Sequence, residues 1–381
     1  MKNKILILFC LLSSLASAQI VVTNGTVLSI QSNSIFYDNG NFTNNGTVVN
    51  NGNLSISGAW TNTGTYQAGT GQMTFNGTGT QVINHDAQSI SKLVISGGGE
   101  KLFTADISIE QELSLQQGIL ATNNQSKIIL DQQATVVGGS DSSYVQAVVY
   151  NTGTGMKLFP VGINSHYTPV TLTDVTGSTP VVGVQVFEPN PNSTFDKSLV
   201  AVSPLRYWQI TALSGSFDGS PVTLPLIGED FSQSIENAVV GQAAGASDPF
   251  QSLGVSSVNG DFQSGSITSN DPVTLAWVAV ATVESPNRDI LVYNAVTPNG
   301  DGKHDFLKMV NIEYYPNNQV TIVNRYGQTV FEMDAYNNVD RFFSGEANTG
   351  GLKTLTNGTY FYVIDKRNGD KKISGFFILT R

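Results

Sequence analysis

Short stretches in which apolar and polar residues alternate fill the first third of the chain. Thr26 to Ile30 and Asn53 to Ser57 are two of them, and neither shows the 3.6-residue period of a helix. This alternation is typical of strands with one buried face. Asn-Gly pairs separate many of these stretches, and three pairs recur at six-residue intervals, at Asn39-Gly40, Asn45-Gly46 and Asn51-Gly52.

The regular spacing favours a β-solenoid-like repeat region over residues 19–139, in which parallel strands stack coil upon coil. An antiparallel sandwich is the alternative architecture for the same strands. We expect the Asn-Gly pairs to form corners with positive φ, which both residue types tolerate. We also expect stacked asparagine side chains to hydrogen bond along the solenoid axis.

Prolines and longer strands mark residues 140–283. Arg206 to Thr211 is one such strand, and the pattern as a whole predicts a central antiparallel β-sandwich. Trp208 and Trp277 lie within apolar strands, so we interpret them as core residues rather than as platforms for a ligand. Residues 284–288 have the composition of a linker.

Residues 289–381 have the clearest strand pattern. Thr359 to Asp365 and Lys372 to Thr380 predict a hairpin with one face packed in a core. Asn368-Gly369 between them predicts a two-residue turn with positive φ at both positions. Strands of this length over about ninety residues predict a C-terminal immunoglobulin-like β-sandwich. The whole chain is therefore predicted to be all-β.

Residues 1–18 have the pattern of a secretory signal peptide. Two lysines precede a short apolar run, and small residues lead up to Ala18, so we expect cleavage between Ala18 and Gln19. The run is shorter than the roughly 20 apolar residues of a membrane-spanning helix, and we expect no transmembrane segment in the mature chain. The only cysteine, Cys10, lies in this segment, so we expect no disulfide in the mature chain.

Charge is distributed unevenly along the chain, whose formal net charge is −10. Residues 289–381 contain ten acidic and ten basic residues, so the negative charge belongs to the part before them. Phosphate recognition requires clustered Lys and Arg, and nucleic acid is therefore not expected as a partner. Only 13% of the residues are charged, so amides and hydroxyls supply most of the polar surface.

Several motifs follow one another in residues 289–381. They are Thr297, Pro298, Asn299, Gly300, Asp301 and Gly302 with Asp305; Asn324, Arg325, Tyr326 and Gly327; Gly358, Thr359 and Tyr360; and the final Arg381. With them this segment resembles the gliding motility-associated C-terminal domain, also called the type B sorting domain of the type IX secretion system. His304, Tyr326 and Thr356 depart from the commonest residues of that family, and none of these departures removes an apolar core position.

The resemblance implies that residues 289–381 are a signal read by the type IX secretion machinery. It implies export, followed by display at the outer cell surface or release. It implies nothing about the chemistry of the residues that precede the signal.

Motifs that would carry catalysis are missing from the sequence. Acid pairs occur at Glu110/Glu112 and Glu229/Asp230, and retaining glycosidases use two acids about 5 Å apart, but such pairs are also common on solvated strands. No nucleophile elbow, phosphate-binding loop or dinucleotide fingerprint accompanies them. The histidines are isolated in sequence, at His85, His166 and His304. We therefore expect no catalytic residue, no zinc site and no organic cofactor.

One loop offers oxygen ligands for a cation. Asn299, Asp301 and Asp305 stand close together with glycines between them, an arrangement that is able to wrap calcium. The loop lacks the fuller acid set and the closing Glu of an EF-hand. In the alternative, an Asx-type turn, these oxygens accept hydrogen bonds from the loop's own backbone. We favour the turn and keep calcium as the one candidate metal.

These features predict a secreted, non-enzymatic cell-surface protein, adhesin-like or structural. An extracellular polysaccharide or another cell surface is the expected partner, because a solenoid offers a long face rich in amides and hydroxyls. The alternative is a secreted polysaccharide-degrading enzyme, a lyase or a hydrolase, since solenoids host both. The scarcity of basic residues before Asp289 argues against a lyase site.

Overall fold

A computed structural model describes residues 19–381 except 124, 230, 233, 275, 285–288 and 352. The predicted signal peptide, including Ala18 of the cleavage site, and residues 285–288 of the predicted linker lie outside the described residues. Cleavage before Gln19 therefore stays a prediction. The chain forms two compact units, one ending at Glu284 and the other made of the residues after it.

Short strands, most of them with one buried face, recur through residues 20–152, as the alternating pattern predicts. They are β1 (Ile20–Val22), β2 (Val27–Ile30), β3 (Ile35–Asp38), β4 (Phe42–Asn44), β5 (Thr47–Asn50), β6 (Asn53–Ile56), β7 (Trp60–Asn62), β8 (Thr65–Gln67), β9 (Gln72–Phe75), β10 (Gln81–Asn84), β11 (Ser89–Ile95), β12 (Glu100–Phe103), β13 (Ile107–Leu115), β14 (Ile119–Thr122), β15 (Ile128–Leu130), β16 (Thr135–Gly138), β17 (Val145–Gln146) and β18 (Val149–Thr152).

These strands pair in parallel and wind into a β-solenoid. One side is a seven-stranded sheet in the order β1-β4-β7-β10-β12-β14-β17, the second is β2-β5-β8, and the third begins β3-β6-β9-β11-β13-β15. Phe42 pairs with Trp60 across one coil, and Asn44 contacts Asn62 eighteen residues further on. Three corners six residues apart therefore make one coil. The predicted solenoid is confirmed, and the antiparallel alternative for this region is wrong.

Glycine at the Asn45-Gly46 and Asn51-Gly52 corners is required for a reason other than the predicted positive φ. Gly46 and Gly52 are outside the left-handed region, unlike Gly25 at φ +80°. A Cβ on Gly46 would lie 2.4 Å from the carbonyl oxygen of Thr23 in the preceding coil, and one on Gly52 would lie equally close to that of Gln31. These two corners need glycine because successive coils pack backbone against backbone there.

The solenoid interior combines aromatic side chains with a few hydrogen-bonded amides. Phe42 and Trp60 are fully buried in adjacent coils with ring centroids 5.0 Å apart. Asn44 Nδ2 donates to Asn62 Oδ1 at 2.7 Å, and both side chains are buried. The expected hydrogen bonding of stacked asparagines is confirmed at this step, and it satisfies polar groups that would be costly to bury alone.

Antiparallel strands make up the rest of the first compact unit, together with a 3-10 helix at Ile235–Asn237. They are β19 (Gly155–Phe159), β20 (Gly162–Ile163), β21 (His166–Tyr167), β22 (Val170–Val175), β23 (Val181–Phe187), β24 (Ala201–Val202), β25 (Tyr207–Ser214), β26 (Val222–Ile227), β27 (Ala238–Ala243), β28 (Gln251–Ser252), β29 (Ser257–Gly260), β30 (Ser264–Thr268) and β31 (Ala276–Thr282).

One sheet connects the solenoid to this antiparallel region. β18 pairs in parallel with β15 and antiparallel with β23, and the sheet continues β23-β25-β31-β27-β28. A second sheet, β19-β22-β26-β30-β29, contributes side chains to the same core. Trp208 is fully buried in this core, and its Nε1 donates to the backbone oxygen of Thr168. Trp277 is half-buried and stacks on Tyr207 with centroids 4.0 Å apart.

The second unit is built on one five-stranded sheet. Its strands, with a 3-10 helix at Ile312–Tyr314, are β32 (Leu291–Val292), β33 (Ala295–Val296), β34 (Met309–Val310), β35 (Gln319–Val323), β36 (Thr329–Asp334), β37 (Gly358–Asp365) and β38 (Ile373–Leu379). The sheet order is β33-β38-β37-β35-β36, while β32 pairs with β34 alone. Largely irregular segments supply the other core layer, through Leu307, Phe343 and Leu355. The described residues contain no α-helix, so the predicted all-β class is confirmed.

The closing hairpin has a longer loop than predicted. Pairing runs from Gly358↔Leu379 to Ile364↔Ile373, and the positive φ values fall at Arg367 (+53°) and Gly369 (+91°) rather than at Asn368 and Gly369. Asp365 Oδ1 accepts the Arg367 N–H, and Asn368 Oδ1 accepts the Asp370 N–H. These two side-chain bonds shape the loop, so the predicted two-residue turn is wrong.

Gly369→Val is expected to destabilise the second unit by about 1 kcal/mol, because a β-branched residue resists φ near +91°. No atom lies within 4 Å of the position of a Cβ at Gly369, so the strain would come from the backbone alone. Urea unfolding monitored by hydrogen exchange in β37 and β38 measures the effect. Lys371→Ala, an exposed change in the same loop, is the control. Equal protection in both variants and wild type would contradict the prediction.

Candidate functional site

The opening motif of the second unit folds around one carboxylate. Asp305 Oδ1 accepts the N–H groups of Asn299 and Gly300 at 3.0 and 2.7 Å, and Oδ2 accepts that of Gly302 at 2.8 Å. Gly300 and Gly302 have φ of +79°, which turns their N–H groups toward the carboxylate. The bond from Gly300 contributes most to a pKa of Asp305 below its usual value.

The calcium candidates are engaged within the same loop. Asn299 Oδ1 accepts the N–H of Asp301 at 3.1 Å, and Asp301 Oδ1 accepts that of Lys303 at 2.8 Å. Together with the bonds to Asp305, this is the Asx-type arrangement that the sequence offered as the alternative. Over the part of the chain that the structure describes, no cluster of three or more His, Cys, Asp or Glu could hold a metal ion.

The first and last motifs meet at Gly345. Arg381 Nη2 donates to the backbone oxygen of Gly345 at 2.8 Å and to Glu346 Oε1 at 3.0 Å. Gly345 has φ +86°, and a Cβ there would lie 3.1 Å from both Pro298 and Arg381. Sequence reasoning missed Gly345, because its role follows only from this close approach. Pro298 and Arg381 therefore contribute to one packed junction.

The second motif forms a tight turn. Asn324 Oδ1 accepts the N–H groups of Tyr326 and Gln328 at 3.0 and 3.1 Å, and the Gly327 N–H bonds the Asn324 backbone oxygen. Gly327 supplies the φ of +78° that the turn requires. The Arg325 guanidinium lies 4.9 Å from the centroid of the Tyr326 ring, and Tyr326 is 73% exposed. The turn thus presents an aromatic side chain and a cation to solvent.

The second and third motifs line one cleft of about 670 Å³, here called the β37 cleft. Its walls are residues 324–326, Val330 and residues 354–361. Tyr360 is buried against Phe377, and its hydroxyl donates to the Thr356 backbone oxygen at 2.9 Å. Gly358 and Thr359 are exposed at the start of β37. Residues more than thirty positions apart in sequence thereby share one concave surface.

A buried ion network in the first unit escaped the sequence analysis. Arg206 Nε donates to Glu188 at 2.8 Å, and Arg206 Nη1 donates to Glu229 at 3.2 Å. Burial raises the pKa of Glu229, while the Ser203 hydroxyl and the Arg206 guanidinium oppose that rise. Its predicted neighbour in an acid pair, Asp230, lies outside the described residues. Because both carboxylates are bound to one guanidinium, loss of Arg206 would leave both without their cation.

The isolated histidines have different surroundings. His85 is fully buried in the solenoid, where its Nδ1 accepts the Trp60 Nε1–H at 2.9 Å, and burial lowers its pKa to about 4. His166 Nδ1 lies 3.7 Å from Glu188, at the edge of the ion network. His304 is exposed in the opening motif loop. None of the three belongs to a group of metal-ligating side chains among the described residues.

The fold and these sites define an all-β protein with a parallel solenoid, an antiparallel region and a separate C-terminal β-domain that gathers the sequence motifs. Residues 290–379 match the family model of the CHU_C Type IX secretion signal domain. This match confirms the resemblance and indicates export through type IX secretion, to the cell surface or the extracellular space. No curated protein and no solved structure matches the chain.

Within the described ranges, no helix has the length and the hydropathy needed to cross a bilayer.

Proposed function

We propose that the exported chain is a non-enzymatic cell-surface protein, adhesin-like or structural, which binds an extracellular polysaccharide through its solenoid. The supporting observation is a row of polar side chains on the outer face of the sheet that contains β6, β9 and β11. Asn53, Gln72, Lys92 and Glu112 pair successively in register, and each of them is exposed or half-buried. The neighbouring row holds Ser55 and Thr74 in the same register.

Parallel in-register pairing places equivalent side chains about 4.8 Å apart, coil after coil. Amides and hydroxyls both donate and accept hydrogen bonds, and a polysaccharide chain offers complementary hydroxyls at repeated intervals. The low charge content suits a neutral or weakly charged polymer better than a phosphate-rich one. The regular row of in-register side chains thus supports a repetitive ligand rather than a compact one.

A glycan array probed with the mature full chain tests this proposal. We expect binding to one class of polysaccharide, and at least a tenfold weaker signal for the Asn53→Ala/Gln72→Ala double variant. Gln67→Ala is the matched control, because Gln67 is exposed on β8 of a different sheet. An array without binding, or equal binding by the double variant, would contradict the proposal. Release of soluble sugar from the array would support the alternative, a polysaccharide-degrading enzyme.

A further inference from the structure

The β37 cleft contains a strand edge that pairs with no other strand among the described residues. β37 is paired on both sides only from Phe361 onward, because its pairing with β35 ends at Val323↔Phe361. Beyond Val323 the chain leaves the sheet and enters the turn held by Asn324. Pairing with β38, in contrast, continues back to Gly358. The first residues of β37 therefore have a neighbouring strand on one side and the cleft on the other.

The hydrogen-bond alternation shows which backbone groups face the cleft. The N–H of Ile378 bonds Asn294 on the far side of β38, so Phe377 and Leu379 direct their backbone groups toward β37. Their partners Tyr360 and Gly358 must point back at β38. Thr359 lies between these two residues, so its N–H and C=O point into the cleft. An exposed donor and acceptor on a strand edge are a template for another strand.

Apolar side chains lie around this edge. Val330 and Leu355 are buried at the base of the cleft, and Phe361 is 43% exposed on the outer face of the sheet. On the same face Phe361 pairs with Phe376, and Thr359 pairs with Ile378; these two apolar partners are 56% and 50% exposed. A strand added at Thr359 would place alternate side chains into the cleft and onto this outer face. Among the described residues that line the cleft there is one cation, Arg325, and no acid.

We propose that the β37 cleft binds an extended polypeptide segment of the secretion machinery by strand addition at Thr359. The segment pairs with the Thr359 backbone and carries apolar side chains at alternate positions, and Tyr326 covers it from the turn. Backbone hydrogen bonds supply affinity in this mode of recognition, and the pockets for alternate side chains supply specificity. This inference rests on the role of residues 290–379 as a secretion signal. According to this inference, the secretion machinery recognises the signal at the strand edge of Thr359.

Thr359→Pro in the full chain is the sharpest test. Proline removes the N–H that faces the cleft but no hydrogen bond to β38, and proline is tolerated on strand edges. We expect at least tenfold less protein outside the cell, with an unchanged melting temperature of the purified chain. Thr359→Val, which retains the N–H and suits a strand, should be exported at least tenfold better than Thr359→Pro. Lys371→Ala, an exposed change outside the cleft, should be exported like wild type. Normal export of Thr359→Pro would overturn the inference.

Two further experiments distinguish an error about the secretion signal from an error about the cleft. A variant lacking residues 289–381 should remain inside the cell; its normal export would refute the signal itself rather than the cleft. If Thr359→Pro does not fold, a photo-crosslinking amino acid at Tyr326 decides, with Val339 as the control because it is 79% exposed outside the cleft. Crosslinks to a secretion-machinery protein from position 326 only would support the inference. Equal crosslinking at both positions, none at 326, or crosslinks only to a second copy of this chain would overturn it.

Discussion

Replacing Arg206 with methionine is expected to lower the free energy of unfolding of the first unit by about 3–5 kcal/mol. The Arg206 side chain is 4% exposed and binds two carboxylates, Glu188 and Glu229. Its Nη1 also donates to the backbone oxygen of Ile227 at 2.8 Å. Methionine retains much of the apolar volume, but it leaves the fully buried side chain of Glu229 without its cation. A buried carboxylate that has lost its partner accounts for most of the expected loss.

Tryptophan fluorescence during urea unfolding measures this loss selectively, because all three tryptophans precede Glu284. Lys127→Met is the control, since the Lys127–Asp106 ion pair is 3.2 Å long and both side chains are 37% exposed. Its cost should stay below about 1 kcal/mol. Adding Glu229→Gln to Arg206→Met should recover part of the stability, because no buried charge then remains at that position. A loss no larger than that of Lys127→Met would show that the network contributes little.

The repeat of the solenoid was predictable because it is local. Apolar and polar residues alternate over the few residues of each strand. The six-residue spacing of Asn39, Asn45 and Asn51 equals the number of residues from one corner to the next. The reason for glycine at these corners was not predictable from single residues. Gly46 and Gly52 are required by carbonyl oxygens of the preceding coil, and that proximity exists only after coils stack. Local conformational preference therefore identified the corners but gave the wrong cause.

Contacts between distant segments account for what the sequence analysis missed. Arg206 joins Glu188 and Glu229 from three separate strands or loops, and neither acid is adjacent to it in sequence. In the second unit the motifs were visible in the sequence, but the convergence of the second and third motifs on one cleft depends on the early end of the pairing between β35 and β37. The hairpin loop was mispredicted because Asp365 and Asn368 bond backbone groups and shift the positive φ to Arg367. Side-chain hydrogen bonds to the backbone competed there with the propensity of Asn-Gly to form a two-residue turn.

The first unit is expected to lose about 3 kcal/mol of stability between pH 6.5 and pH 4 through His85 alone. The Nδ1 atom of His85 accepts the Trp60 Nε1–H, so Nε2 carries the ring proton and faces the Ser89 backbone oxygen at 3.4 Å. A second proton on Nδ1 would make this atom a donor that faces the Trp60 Nε1–H donor in a fully buried site. Burial is the main cause that lowers the pKa of His85 to about 4, and Ser89 and Asp86 oppose it only in part.

The sign follows from proton uptake in the two states. Above pH 6.5 the histidine is neutral in both folded and unfolded chains, and its contribution to stability is fully present. As the pH falls from 6.5 to about 4, His85 binds a proton in the unfolded chain but not in the folded chain, so stability declines. Below pH 4 both states are protonated, and the contribution of this residue levels off.

The measurement is urea unfolding at several pH values between 7.5 and 4, followed by tryptophan fluorescence. Carboxylates also titrate in this range, so the informative quantity is the difference in slope between wild type and His85→Gln, which keeps an acceptor for Trp60 but does not titrate. His304→Gln removes an exposed histidine from the second unit and should leave the slope unchanged. A slope shared by wild type and His85→Gln would mean that the buried imidazole does not couple folding to pH.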